Sequence, residues 1–262
     1  MSRFLFRSSR PIVFGHRGAG GVAPENTLAA FDQGLALGAD GLELDVHLAR
    51  DGVVVVHHDR TLDRTTNLHG PIAAWTAGDL SRADAGHFFP RGAGFPFRGC
   101  GIGVPTLAEV LARYPDVLMI VELKVDSVEL ARATIDVVRA ARAVDRVCLG
   151  SFGLGALRAA RAIEPAITTS AAGEEVRRAL YRSWCGWPAS RVPYGGYQVP
   201  EWAGRTRVLS PHFIHLAHRA GLGVQAWTID TEQDGRRLLD WGIDGLITDR
   251  PDLIVPLARG RA

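Results

Sequence analysis

The sequence lacks long hydrophobic runs and offers no clear export signal. Apolar residues make up 47% of its 262 residues and charged residues 22%, which is typical of a globular protein. No apolar stretch approaches the roughly 18 residues that a membrane-spanning helix requires, so an integral membrane protein is excluded. The apolar stretch at 4–6 is too short for the core of a signal peptide, and the default expectation is a cytoplasmic protein.

Cysteine is scarce, and the excess of positive charge is small. Cys100, Cys148 and Cys185 are widely spaced and form no Cys-x-x-Cys pair, so we expect reduced thiols and neither a disulfide framework nor a thiolate zinc site. The formal net charge is +2 and the arginines are scattered along the chain, which argues against a nucleic-acid surface. The expected partner is therefore a small molecule in a pocket.

Lysine is almost absent. Of the 30 lysine and arginine residues, Lys124 is the single lysine. A compact ammonium group and a planar guanidinium group recognise anions differently. This exception suggests that position 124 specifically needs an ammonium group.

The chain alternates short apolar or β-branched runs with longer segments of helical spacing. About eight such units without a break in composition predict a single α/β domain over residues 1–262, and a closed TIM (β/α)₈ barrel rather than an open doubly wound sheet. The predicted strands are 12–16, 41–47, 117–124, 146–151, 166–170, 196–199, 223–228 and 244–248. The predicted helices are 26–37, 106–113, 127–143, 154–163, 174–184, 211–220, 232–241 and 252–257. Thr106 and Glu109 fit a capping box, and Pro251 suits a helix start.

One segment, 61–105, breaks this alternation. It is long and rich in glycine, proline and aromatic residues, and we interpret it as an insertion after the second strand. Loops of this length usually act as lids or binding elements. We expect it to cover part of a site, because in such barrels the site lies at the carboxyl ends of the strands.

Polar residues alternate with apolar ones in the second predicted strand. Glu43, Asp45 and His47 share one face of that strand because side chains repeat with a period of two. Glu122 and Lys124 repeat the arrangement at the end of the third predicted strand. Carboxylates that meet at a barrel mouth are suited to Mg²⁺ or Ca²⁺, whereas the alternatives are a solvent-facing polar stripe and a structural salt bridge of Lys124.

Two histidine-containing segments are candidates for proton transfer. The first predicted strand ends in a glycine-rich turn with His16 and Arg17, whose guanidinium matches a phosphate. The turn is followed by Pro24-Glu25-Asn26-Thr27, where Asn26 or its neighbours could cap the helix and Glu25 could steer His16. The apolar run 53–56 ends in His57 and His58. Two histidines that face each other across a metal would form an acid/base pair.

In this order, the motifs resemble those of the glycerophosphodiester phosphodiesterase family. The resemblance spans about 11–255, is weakest over 174–207, and includes the Trp227-Thr228 pair. The other matching motifs are 16–18, 24–27, Glu43 with Asp45, 51–59, 64–66, 105–107, 122–124, 151–152 and 244–251.

The resemblance implies a barrel of this kind with its insertion, and it implies a role for each matching residue. His16 and His58 are the expected catalytic pair, and His58 is preferred to His57 because it directly precedes Asp59. Arg17 and Lys124 are expected at the phosphate, and Trp227 at the organic part of the substrate. Glu43, Asp45 and Glu122 are the expected ligands of one divalent cation, Mg²⁺ or Ca²⁺ and also Mn²⁺, while Glu25 and Asn26 support the site.

The implied reaction is hydrolysis of a glycerophosphodiester to glycerol 3-phosphate and an alcohol, through attack of the glycerol 2-hydroxyl or of water. Two alternatives stay open. One is a lysophospholipase D or related phospholipase with transient lipid-surface contact, for which the aromatic residues between Phe88 and Phe97 are suited. The other is a barrel that binds phosphodiesters without catalysis. Tyr194 and Tyr197 either shape the leaving-group side or simply pack.

Overall fold

The computed structural model describes residue 4, residues 6–90, residue 92 and residues 94–260. Residue 5 of the short N-terminal apolar stretch and residues 91 and 93 of the predicted insertion lie outside the described residues. In chain order the elements are β1 (Ile12–Gly15), α1 (Leu28–Ala36), β2 (Gly41–Leu48), β3 (Val54–Val56), a 3₁₀ turn (Ile72–Ala74), α2 (Ala77–Leu80), α3 (Leu107–Arg113), β4 (Leu118–Leu123), α4 (Val128–Ala140), β5 (Val147–Gly150), α5 (Leu154–Ile163), β6 (Thr168–Thr169), α6 (Gly173–Trp184), β7 (Gly196–Pro200), β8 (Trp202–Ala203), β9 (Thr206–Arg207), α7 (Pro211–Arg219), β10 (Gly223–Trp227), α8 (Glu232–Asp240), β11 (Gly245–Thr248) and α9 (Pro251–Arg259).

Eight parallel strands among the described residues form the barrel. Their order is β6-β5-β4-β2-β1-β11-β10-β7, and each neighbouring pair is parallel. A parallel bridge between Ser170 and Gly196 joins the two ends. The predicted (β/α)₈ barrel is confirmed, and each predicted strand and helix overlaps an observed one.

Local capping explains where several helices begin. Thr106 and Glu109 form the predicted capping box at α3, which satisfies backbone N–H groups that a helix leaves free. Pro251 is the first residue of α9, as predicted. Thr27, Ser127 and Ser210 cap α1, α4 and α7 with their hydroxyl oxygens.

Apolar side chains fill the amino-terminal end of the barrel. Phe4 and Phe6 pack with Phe14, Ile120 and Ile247 in one cluster, and Phe6 lies against the backbone where β7 and β10 begin. Two larger apolar clusters separate the strands from the surrounding helices. The polar side chains of the barrel therefore collect at the opposite, carboxyl end.

The segment before α3 forms a small unit of its own. β3 pairs with β2 in antiparallel fashion, and the chain then runs through the 3₁₀ turn and α2. Leu62, Ile72, Leu80 and Val104 pack there against Val55. The predicted insertion thus follows a β-hairpin made by the second barrel strand.

No helix among the described residues has both the length and the hydrophobicity to cross a bilayer.

Candidate active site

A cavity of about 540 Å³ lies at the carboxyl ends of the strands. This size suits a small ligand. The cavity brings together eight of the ten residues predicted for the site, and Glu25 and Asn26 lie behind them. The eight are His16, Arg17, Glu43, Asp45, His58, Glu122, Lys124 and Trp227.

Three carboxylates converge on one side of the cavity. Asp45 on β2 is paired in register with Glu122 on β4, and oxygens of Glu43, Asp45 and Glu122 all lie within 4.8 Å of one another. Burial and repulsion by the Asp45 carboxylate raise the pKa of both Glu43 and Glu122. Such a cluster favours a bound cation or proton. Because all the donors are hard oxygens, the site fits a divalent cation.

Lys124 adjoins this cluster. Its Nζ donates to Glu122 Oε1 at 3.0 Å and lies 3.3 Å from Asp45 Oδ1. Burial opposes the charged form, but the nearby carboxylates outweigh it and raise the pKa of Lys124. Lys124 therefore forms salt bridges and still faces the cavity, where its charge can meet an anion.

His16 follows β1 directly and is held on both sides by carboxylates. Its Nδ1 is 2.8 Å from Asp249 Oδ1, and its Nε2 is 3.8 Å from Glu43 Oε2. Burial alone would lower the pKa of His16, but the hydrogen bond to Asp249 and the charges of Glu43 and Asp249 raise it to about 9. These carboxylates therefore favour the protonated form of the imidazole.

His58 lies just beyond β3 and also has a carboxylate partner. Its Nδ1 is 2.6 Å from Asp59 Oδ1, and Arg64 Nε donates to the other Asp59 oxygen at 2.6 Å. His57 is buried, and its Nε2 lies 3.2 Å from the Thr61 carbonyl oxygen instead. The structure thus places His58 in the cavity lining and leaves His57 out of it, and the catalytic role of His58 stays a prediction.

Glu25 holds two arginines and not His16. Arg17 Nη1 donates to Glu25 Oε1 at 2.8 Å, and Arg64 donates to both Glu25 oxygens at 2.6 and 2.8 Å. Although burial opposes it, these partners lower the pKa of Glu25 to about 2. The expectation that Glu25 steers His16 is wrong, because Asp249 occupies the Nδ1 side of that ring.

Asn26 braces Asp45 and does not cap the helix. Its Nδ2 donates to Asp45 Oδ2 at 2.8 Å, and its Oδ1 accepts from the Asp45 backbone N–H at 3.2 Å. Thr27 is the N-cap of α1. The capping role considered for Asn26 thus belongs to its neighbour, and Asn26 supports the acidic cluster.

Arg17 connects the turn after β1 to the acidic cluster. Its backbone N–H donates to Glu43 Oε2 at 3.0 Å, and its side-chain Nε lies 3.4 Å from Asp45 Oδ2. Its guanidinium therefore stands beside the carboxylates and faces the cavity. There the guanidinium can bind an anionic oxygen.

Aromatic residues border the other side of the cavity. Trp227, the last residue of β10, contacts Phe152 edge-on with ring centroids 6.0 Å apart. Tyr194 and Tyr197 are buried, and their hydroxyls are 3.3 Å apart. They belong to an apolar cluster outside the barrel, which fits the packing interpretation.

Of the described residues that line the cavity, none comes from 61–105, so a lid role for that segment stays a prediction.

Sequence reasoning assigned no role to four residues around the two histidines. Asp249 and Asp59 hold His16 and His58, and Arg64 links Asp59 to Glu25. The fourth is His47, whose Nε2 is 3.1 Å from the His58 carbonyl oxygen. Asp59, Arg64 and Asp249 all occur within the matching motifs, and their place in those motifs could have identified them as site residues.

The carboxyl end of this parallel barrel carries cationic side chains that can bind an anion and histidines that can transfer protons. Such a combination defines a hydrolase of anionic esters. The comparison with known proteins is more specific: the profile of the glycerophosphoryl diester phosphodiesterase family matches residues 16–253. The chain belongs to this family, and it is an enzyme of the phosphoric diester hydrolase class.

Individual relatives agree over nearly their whole length. A glycerophosphodiester phosphodiesterase from Caldanaerobacter subterraneus subsp. tengcongensis is 32% identical over 255 residues, covering 95% of this chain and 98% of the relative. The crystal structure of a glycerophosphodiester phosphodiesterase from Agrobacterium tumefaciens C58 is 28% identical, with a TM-score of 0.76 and coverage of 94% and 99%. An Oleispira antarctica phosphodiesterase in complex with the product sn-glycerol-3-phosphate is 28% identical, with a TM-score of 0.76 and coverage of 94% and 96%.

Proposed function

We propose that this enzyme hydrolyses glycerophosphodiesters to glycerol 3-phosphate and an alcohol, that it depends on a divalent cation, and that His16 and His58 transfer the protons. One observation carries the proposal. Both histidines, each with a carboxylate at Nδ1, share a single cavity with the acidic cluster, Arg17 and Lys124. The product bound by the Oleispira antarctica relative is consistent with this substrate class.

Glu43, Asp45 and Glu122 would hold the cation, and Mg²⁺, Ca²⁺ or Mn²⁺ suits their oxygen donors. When bound, the cation would neutralise charge on the phosphate oxygens and would offset the repulsion between the carboxylates. Arg17 and Lys124 would bind the remaining phosphate oxygens, because each faces the cavity beside this cluster. A phosphodiester anion would then meet positive charge from several directions.

The two histidines would divide the proton transfers. His16, whose pKa is raised to about 9, would donate a proton to the departing alcohol oxygen. His58 would accept the proton of the glycerol 2-hydroxyl or of water as that oxygen attacks phosphorus. Asp249 and Asp59 would keep each Nδ1 protonated and each Nε2 turned to the substrate. Attack by the 2-hydroxyl would give a cyclic phosphate, which water would open.

The test is release of glycerol 3-phosphate from glycerophosphocholine by chelator-stripped protein, with Mg²⁺, Ca²⁺ or Mn²⁺ added back. We expect no release without a cation and full release with at least one of the three. Asp45→Asn should raise the cation concentration needed for half-maximal activity. Full activity in the presence of excess chelator would overturn cation dependence, and no release with any of the cations would overturn the substrate assignment.

A further inference from the structure

The segment 61–105 supplies no residue to the cavity lining among the described residues, yet one of its side chains reaches the groups behind the cavity. Arg64 lies near the start of this segment, and its side chain is 49% exposed. The backbone on both sides of Arg64 is fixed, because the Thr66 N–H and hydroxyl both donate to the Leu62 carbonyl oxygen. Leu62 is fully buried in the small core of the segment. Arg64 therefore projects from a supported turn.

The guanidinium of Arg64 binds two carboxylates at once. Its Nε donates to Asp59 Oδ2 at 2.6 Å, and its Nη1 and Nη2 donate to the two Glu25 oxygens at 2.8 and 2.6 Å. Each of these carboxylates also contacts a residue that lines the cavity. Asp59 Oδ1 lies 2.6 Å from His58 Nδ1, and Glu25 Oε1 accepts from Arg17 Nη1 at 2.8 Å. One side chain outside the cavity lining thus stands behind both a proposed proton-transfer group and a proposed phosphate ligand.

The charges of this network explain why a cation is needed at position 64. Although burial opposes ionisation, Arg64 and His58 lower the pKa of Asp59, and Arg64 and Arg17 lower the pKa of Glu25 to about 2. The ionised form of both carboxylates is therefore favoured. Without Arg64, the whole negative charge of Glu25 would act on Arg17 and would compete with the phosphate for its guanidinium. Asp59 would lose the partner that fixes its second oxygen.

These contacts need a planar group with several donors. A guanidinium presents its donors in a rigid fork, whereas a lysine ammonium is a single point charge. The fork of Arg64 is divided between carboxylates from two different connections of the barrel, since Asp59 follows β3 and Glu25 precedes α1. Position 64 therefore aligns two parts of the site with each other.

We propose that Arg64 is a positioning residue for the hydrolysis. Through Asp59 it holds the His58 ring in the orientation for proton transfer, and through Glu25 it keeps the Arg17 guanidinium available to the phosphate. This inference rests on the proposed function. It gives the segment 61–105 a part in the reaction without contact to the substrate, because the small core of that segment supports the turn that carries Arg64.

The two links of Arg64 predict separate kinetic effects, which steady-state kinetics on glycerophosphocholine at saturating activating cation would measure. We expect Arg64→Met to lower kcat about 10- to 100-fold, because a misplaced reacting group costs up to about this much, and to raise KM as well. In an Asp59→Ala background, the same change should raise KM and leave kcat nearly unaltered. In a Glu25→Ala background, it should lower kcat and leave KM nearly unaltered, since groups that act through one contact are not additive.

Arg60→Met is the matched control. Arg60 is exposed and forms no salt bridge among the described residues, so this variant should keep the wild-type kcat and KM. Arg64→Lys should recover little of the lost activity, because an ammonium group cannot span both carboxylates. Added guanidinium ion should restore part of kcat to Arg64→Ala, whereas added ammonium ion should not. A general loss of folding would not give this rescue.

The outcomes separate this inference from the proposed function. Wild-type kcat and KM in Arg64→Met, or undiminished effects of that change in both backgrounds, would overturn the inference and leave the hydrolysis of glycerophosphocholine by the wild type intact. Full activity in Arg64→Lys, or equal rescue by the two ions, would contradict alignment by a planar group. A wild-type protein that released no glycerol 3-phosphate with any of the cations would overturn the proposed function and this inference together.

Discussion

Each of the two cavity histidines has its Nδ1 next to a carboxylate, but the carboxylates come from different parts of the chain. Asp249 follows the last barrel strand and reaches back to His16, whereas Asp59 is the next residue after His58. A carboxylate at Nδ1 fixes the ring orientation and leaves Nε2 for the substrate. The two rings therefore share one geometry, although His16 also has Glu43 close to its Nε2.

Replacing His58 should abolish most turnover without unfolding the protein. We expect His58→Ala to lower kcat by roughly 10²-fold or more, because a positioned acid or base contributes about this much. His57→Gln is the matched control: its side chain can still donate to the Thr61 carbonyl oxygen, and it should retain most of the activity. Steady-state kinetics on glycerophosphocholine would check both variants. Near-full turnover by His58→Ala would remove this residue from the mechanism.

Asp249 should set the upper pH limit of the reaction. Its negative charge and its hydrogen bond favour the protonated form of His16, so Asp249→Asn should lower the pKa of that histidine. If protonated His16 is the acid, activity is lost as pH rises through this pKa. The alkaline limb of the kcat profile should therefore move to lower pH in the variant. An unchanged alkaline limb would show that another group controls it.

Some site residues could be predicted from the sequence, and others could not. Glu43 and Asp45 follow from the alternation within one buried strand, since a barrel strand has no solvated face for them. The partner of His16 could not be predicted, because 233 residues separate it from Asp249 and only the closure of the barrel brings them together. Glu25 was misassigned for a different reason: its position close to His16 in the sequence did not reveal that Arg17 and Arg64 bind it.

At the scale of elements, the turn between β1 and α1 is built around two left-handed residues. Arg17 has a φ of 50° and Asn26 a φ of 57°, a conformation that asparagine tolerates better than most residues. The Asn26 backbone N–H donates to the Arg17 carbonyl oxygen at 3.0 Å. This turn fixes the Asn26 amide against Asp45 on β2 and so links the β1–α1 connection to the acidic cluster.

Asn26→Gly and Thr27→Ala should separate support of the cation site from helix capping. Glycine accepts a positive φ, so Asn26→Gly removes the amide without adding backbone strain. We expect the cation affinity of this variant to fall about 10- to 100-fold. Thr27→Ala should cost about 1 kcal/mol of unfolding free energy and should leave cation affinity nearly unchanged. Calorimetric cation titration and denaturant unfolding would distinguish them, and equal affinities in the two variants would contradict the support role.

Regular elements were predicted better than irregular ones. The eight barrel strands and the helices between them have strong periodicity, and differences are confined to their ends, as at β6, which is shorter than its predicted range. The β8–β9 hairpin was missed. Each of its strands has two exposed residues, which is too short for any alternation to develop. The segment 61–105 was expected to be one long loop, yet it contains the 3₁₀ turn and α2 around a small core.

On the scale of the whole molecule, the barrel is apolar at the amino-terminal end of its strands and charged at their carboxyl end. Phe4 and Phe6 fill the amino-terminal end, whereas the carboxyl end gathers like charges on β2 and β4. Because Glu43 and Glu122 have raised pKa values through burial and repulsion, ionising the cluster without a cation opposes folding. These strands also pair with each other and with β1 and β5, so repulsion within the cluster acts on four adjacent strands of the barrel.

A bound cation should therefore stabilise the whole fold. At a free concentration of 100 times Kd, a ligand specific to the folded state adds about 2.7 kcal/mol, which corresponds to a rise in Tm of roughly 5–10 °C for a chain of this size. We expect chelator-stripped protein to show this rise when the activating cation is added, measured by calorimetry at neutral pH. Asp45→Asn removes one ligand charge and should lose most of the rise. Asp136→Asn, which changes a carboxylate on α4 away from the cavity lining, should retain it. If wild type and Asp45→Asn gained the same stability, the cation would be acting at another place on the protein.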